Sequence, residues 1–189
     1  MPAPRQEEIT NSTQDGFYGW LNMPRTAEIF DMGQGTGIMG KMLQEKGYSN
    51  IDGADASANF VRVAGESGWY RKTYHQLFGM GVDKLPSDLY GKYDLVVGVG
   101  VYGGGHIPKE GFDDAHALLK TGGVFIFAIR KPYITEGDEN QFYEHLQGMI
   151  STGKFEMLKD WTFTRGVENA AYSHHAVFES YMAAVRRLD

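Results

Sequence analysis

Ala27-Glu28-Ile29-Phe30-Asp31-Met32-Gly33-Gln34-Gly35-Thr36-Gly37-Ile38 decides the fold. An apolar run suited to a buried strand carries an acid near its end and breaks into three alternating glycines. A helical pattern follows, with Ile38, Met39, Met42 and Leu43 on one face, ending near Gly47. Glycines at every second position let a ligand approach the main chain, and the helix start offers unpaired N–H groups. The stretch therefore predicts a strand, a ligand loop and a covering helix.

Outward from it the same rhythm repeats. A second strand over Ile51 to Ala54 ends at Asp55, and Ser57 is placed to cap a helix through Phe60, Val61 and Ala64. A third strand runs from Lys72 to about Leu77, and Ser87 to Tyr90 is too short for more than a turn of helix. Tyr93 to Val99 is the continuous apolar run that a parallel strand covered on both faces requires, which puts it mid-sheet. After the glycine-rich loop Gly100 to Pro108 comes a helix with Phe112, Ala115, Leu118 and Leu119 inward, then a fifth strand, Val124 to Ile129, and a helix from Gln141 to Ile150. Five βα units are counted in this way.

The end of the chain departs from that rhythm. Phe155 to Arg165 and Ala176 to Val185 read as strands with no helix between them, so they pair antiparallel across Gly166 to His175. The expected fold is α/β: a Rossmann-like, doubly wound, mostly parallel sheet of about seven strands with a C-terminal antiparallel hairpin. Residues 26–189 form the domain. Residues 1–25, with the aromatic knot Phe17-Tyr18-Gly19-Trp20-Leu21, are expected to be a tail or partial lid.

Bulk composition narrows the function. With 189 residues, 42% apolar, the chain can bury one full core. Its 24 acids against 18 bases give a formal charge of -6, which disfavours the clustered cations that nucleic acid binding draws on. A small molecule or a protein is the expected substrate. Cysteine is absent, so disulfides, a thiolate nucleophile and Cys-ligated zinc are all excluded. No apolar run reaches the ~18 residues of a membrane span, and Met1 to Asn22 lacks the layout of a signal peptide. The expected location is cytoplasmic or nuclear.

Two ligands compete for the glycine loop. Gly35-Thr36-Gly37-Ile38-Met39-Gly40 is a formal Gly-x-Gly-x-x-Gly, with Asp55 at the distance where a dinucleotide fingerprint has its acid. Asp31, however, sets a carboxylate where a dinucleotide would bring its diphosphate, and like charges repel there. A ligand with a cationic end is favoured instead. S-adenosylmethionine carries an ammonium, a sulfonium and a ribose diol that Asp55 could accept in two hydrogen bonds.

Asp31-Met32-Gly33-Gln34-Gly35-Thr36-Gly37 resembles motif I of the class I S-adenosylmethionine-dependent methyltransferases, and Gly53-Ala54-Asp55-Ala56-Ser57 resembles their second motif. Leu85-Pro86, Tyr93 to Val97 and Leu118 to Gly123 fall where that family has later landmarks, at spacings most similar to the Williams-Beuren-region methyltransferase-like branch. The resemblance covers residues 27 to 185. It implies that Asp31, Gly33 and Gly35 face the methionine end of the cofactor, with Gln34 among them where relatives often carry Cys or Ser. Asp55 would take the ribose and Ala56 the adenine edge. Phe78, Gly79 and Met80 would flank the adenine, and Gly98, Val99 and Gly100 would approach the sulfonium side. S-adenosyl-L-homocysteine would be the product.

In-line methyl transfer asks a protein mainly for alignment and a dry pocket, with a base where the acceptor arrives protonated. His106 and Tyr102 are the catalytic candidates, with Tyr133, His174 and His175 behind them. The competing readings are local backbone bonding for His106 and a pocket wall for Tyr102. His174 and His175, adjacent in a strand, point to opposite faces and do not make a metal pair. No metal is expected. Two rival functions stay open: a methyltransferase-like binding protein without catalysis, and an NAD(P)-dependent oxidoreductase, against which Asp31 and the terminal hairpin argue.

Overall fold

The structure is a computed structural model that describes residues 23–168 and 175–189. Seven strands form one sheet: β1 (Ile29–Met32), β2 (Ile51–Asp55), β3 (Lys72–His75), β4 (Tyr93–Val99), β5 (Leu119–Arg130), β6 (Phe155–Glu168) and β7 (His175–Arg187). Their order is β3-β2-β1-β4-β5-β7-β6. The first five are mutually parallel; β7 runs antiparallel between β5 and β6. Four α-helices lie among the described residues: α1 (Ile38–Glu45), α2 (Ala58–Glu66), α3 (Gly111–Leu118) and α4 (Phe142–Ser151). The expected architecture is therefore present.

Alternation along the central strands feeds two cores. Phe30, Met32, Val96, Phe125 and Phe127 face α3 and α4, where Phe112 and Phe142 meet them, while Ile29, Ile51, Leu95, Val97 and Ile126 face α1 through Met39 and Leu43. Burying an apolar side chain of this size contributes about 1.5 to 3 kcal/mol. Because β1 lies between β2 and β4, the chain winds one way through β2 and β3 and then the other through β4 and β5. The crevice for a ligand in such sheets opens at that reversal, beyond the C-terminal ends of β1 and β4.

Two local expectations need correction. The third crossover has two 3-10 turns, Val82–Lys84 and Ser87–Leu89, in place of an α-helix, so five complete βα units is an overcount. The strand before it stops at His75, because this edge strand has no outer neighbour to extend it. Phe60 is exposed: α2 closes on the sheet edge through Ala64, leaving the preceding turn in solvent. Ser57 does cap α2, accepting from the Phe60 N–H at 3.4 Å.

The C-terminal hairpin is longer than its sequence suggests, pairing from Phe155↔Arg187 to Glu168↔His175. The aromatic knot at residues 17–21 and His174 lie outside the described residues.

Candidate active site

The loop after β1 is fastened to β2 by backbone bonds. The N–H groups of Gly33 and Gln34 both donate to the Ala54 carbonyl, at 2.8 and 3.0 Å, and Gly37 N–H donates to the Gln34 carbonyl at 2.9 Å. Gly35, at φ 54°, holds a conformation that L side chains rarely adopt, and a Cβ there would meet nothing within 4 Å. Its backbone thus borders open space. Its N–H donates to Asp55 Oδ2 at 2.9 Å, while Ser57 N–H donates to Asp55 Oδ1 at 2.8 Å. One carboxylate therefore ties the glycine loop to the turn after β2, and each of its oxygens keeps a lone pair for a ligand.

Asp31 sits one layer deeper. It is 3% exposed, and the Tyr70 hydroxyl donates to its Oδ2 at 2.6 Å. Burial raises its pKa to about 7, the Tyr70 hydrogen bond opposes that rise, and the nearby Asp55 charge adds to it. Tyr70 in turn accepts from the Gly40 N–H at 3.0 Å, one of the otherwise unpaired donors in the first turn of α1. A Cβ at Gly40 would fall 2.4 Å from the Tyr70 ring, so only glycine admits this contact. The last glycine of the formal fingerprint serves this packing.

Gln34 turns inward from the loop. It is 5% exposed, both amide atoms are buried without a hydrogen-bond partner among the described residues, and its Oε1 lies 2.2 Å from where a Cβ on Gly53 would stand. An unsatisfied buried amide costs about 1 to 3 kcal/mol.

On the far side of β1, Phe78 packs edge-on to Phe30 with centroids 6.2 Å apart, so its ring belongs to the core. Gly79 and Met80, the latter 62% exposed, are the members of that trio at the surface. The loop after β4 reaches the glycine loop directly, since a Cβ on Gly33 would collide with Val101. Gly98 is buried against Tyr102, Val99 is half-buried, and Gly100 is exposed.

Tyr102 is corrected from candidate base to core residue. It is 4% exposed, its ring packs against Phe112, Phe125, Phe127 and Phe142, and its hydroxyl points at the Met32 sulfur at 3.8 Å. Burial pushes its pKa well above the ordinary phenol value. His106 is exposed at the tip of the same loop, its N–H donating to the Gly103 carbonyl at 3.0 Å. Tyr133 is half-buried and packs its ring against Gly103.

The structure sets Gly33, Gln34, Gly35, Asp55 and Ala56 close together, with Gly98 to Gly100 alongside. Tyr70, which the sequence reading did not mark, joins them through Asp31. A glycine on the inner face of α1 was the available signal.

Residues 17–171 match the methyltransferase domain family. The chain belongs to that family. A curated relative, human methyltransferase-like protein 27, is 28% identical over 146 residues, covering 75% of this chain and 56% of the relative, so the chain spans little more than half of that protein. Among solved structures, magnesium protoporphyrin IX methyltransferase from Synechocystis PCC 6803, determined with bound S-adenosylmethionine, superposes with a TM-score of 0.62 at 18% identity, over 96% of this chain and 79% of that one. The crystal structure of a putative methyltransferase from Bacillus halodurans C-125 gives a TM-score of 0.65 at 11% identity, over 94% of this chain and 100% of that one. These two likenesses show a shared fold. No helix among the described residues is long and apolar enough to cross a membrane.

Proposed function

We propose that this protein is an S-adenosylmethionine-dependent methyltransferase acting on a small molecule or a protein side chain. The observation that carries the reading is the Asp55 carboxylate bonded to the Gly35 N–H beside open backbone at the reversal of the sheet. The residues present fit the cofactor. Asp55 offers two carboxylate oxygens to a diol, Gly33 and Gly35 give close backbone approach, and Asp31 places an acid beneath the loop for a cationic end. Gly79 and Met80 would border the adenine, with Ala56 at its edge, and Gly98, Val99 and Gly100 would border the sulfonium side.

When bound, S-adenosylmethionine supplies a methyl group on an already activated sulfonium. The protein's part is then alignment and exclusion of water, with no covalent nucleophile. The loop Gly103 to Pro108 would form the acceptor side, where exposed His106 is the candidate to take a proton from the acceptor. The -6 charge supports a non-nucleic-acid acceptor.

Calorimetry tests the reading. S-adenosylhomocysteine should bind and NADH should not, and Asp55→Ala should weaken binding by about 1.5 to 3 kcal/mol, the range for hydrogen bonds to a charged group. Unchanged affinity in that variant would sink the ribose assignment. Transfer of label from methyl-labelled cofactor into a cell extract separates an enzyme from a protein that only holds the cofactor; no transfer would favour the latter.

A further inference from the structure

Asp114 is a costly residue for its position. It lies on the inward stripe of α3 between Phe112 and Ala115, is 1% exposed, and faces a core otherwise built of aromatic and aliphatic side chains. It does not cap its own helix, because neither of its carboxylate oxygens accepts from a first-turn N–H. Its Oδ2 reaches across to accept from the Gly79 N–H at 2.5 Å, and its Oδ1 is buried with no hydrogen-bond partner among the described residues.

Gly79 is held on its other side as well. At φ 77° it faces Pro108 so closely that a Cβ would stand 2.4 Å from Pro108 Cγ, and Pro108 accepts from the Gly111 N–H at the start of α3. Two residues before Pro108 is His106. Asp114, Gly79 and Pro108 therefore join the loop after β3 to the loop after β4.

We propose that Asp114 is a positioning residue that fixes the adenine seat at Gly79 and, through Pro108, sets that seat against the loop carrying His106. This rests on the cofactor reading above. Its content is that the donor and acceptor sides of the site are held in register by one buried carboxylate on α3, which touches neither ligand.

The full-length chain is titrated with S-adenosylhomocysteine and with S-ribosylhomocysteine, which keeps the ribose and amino acid but lacks adenine. In Asp114→Ala the preference for the adenine-bearing ligand should fall about tenfold, the effect of losing one charge-assisted hydrogen bond, with binding of the adenine-free ligand unchanged. Asp114→Asn, whose side-chain carbonyl can still accept from Gly79, should recover most of the preference. An unchanged preference in Asp114→Ala, or equal losses for both ligands, overturns the proposal. If Asp114→Ala does not fold, Gly79→Ala, which forces the loop off Pro108, is read in the same way. Failure of the unaltered protein to bind S-adenosylhomocysteine would instead overturn the cofactor reading itself.

Discussion

Tyr70 and Asp31 share a 2.6 Å hydrogen bond beneath the glycine loop, and the same Tyr70 oxygen accepts from the Gly40 N–H. The hydroxyl passes the positive end of α1 on to a buried carboxylate that would otherwise lack a donor from this side. Tyr70→Phe leaves both the Gly40 N–H and Asp31 short of a partner. Urea unfolding should show a loss of about 2 kcal/mol with little change in the dependence on denaturant.

Asp31 also sets a pH dependence. Its folded pKa of about 7 lies above the ordinary value of 3.8, so folding takes up a proton between those limits. Stability should fall as pH rises from 4 towards 7 and level off above, a cost on the order of 4 kcal/mol at pH 8. Asp114, raised to about 6, acts in the same direction. The depressed Asp52 and Asp113 act oppositely, but only below their ordinary value. Asp31→Asn should be more stable than the unaltered protein at pH 8, with a flatter profile, while binding the cofactor more weakly.

Cofactor binding should release protons. A cationic ligand end above the loop lowers the Asp31 pKa, which burial has raised to about 7. Binding heats measured in buffers of differing ionisation enthalpy should report net proton release near pH 7 that fades at higher pH and is absent in Asp31→Asn. A buffer-independent heat at pH 7 would remove Asp31 from the ligand's surroundings.

Two helical glycines should respond with opposite signs. Gly148 on α4 has open space where its Cβ would stand, so Gly148→Ala should raise stability by up to about 1 kcal/mol through helix propensity. Gly40→Ala gains the same propensity but drives a methyl into the Tyr70 ring, and should lose about 1 to 3 kcal/mol. Thermal denaturation of the pair compares them directly.

The parts legible in sequence were those governed by local pattern. The apolar run of β4, the glycines after β1 and the Ser57 cap follow from near neighbours in the chain, and each lies where its residues imply. The positions that local pattern did not reveal share a long-range cause. Tyr102 and Phe78 sit in loops of polar or glycine-rich character, yet their rings are drawn into the aromatic core by residues tens of positions away. Tyr70 reaches Asp31 across 39 residues and Asp114 reaches Gly79 across 35, contacts to which no periodicity answers. Asp55 was readable because its acid and the Gly35 turn end adjacent strands of a recurrent unit.

The strand order carries a consequence for the sheet's edge. β7 occupies the slot between β5 and β6, pairing with both, so β6 is tied to the parallel strands only through β7. A change that unpairs β7 from β5 should therefore release both strands of the hairpin together and lay the β5 edge open to pairing with another chain.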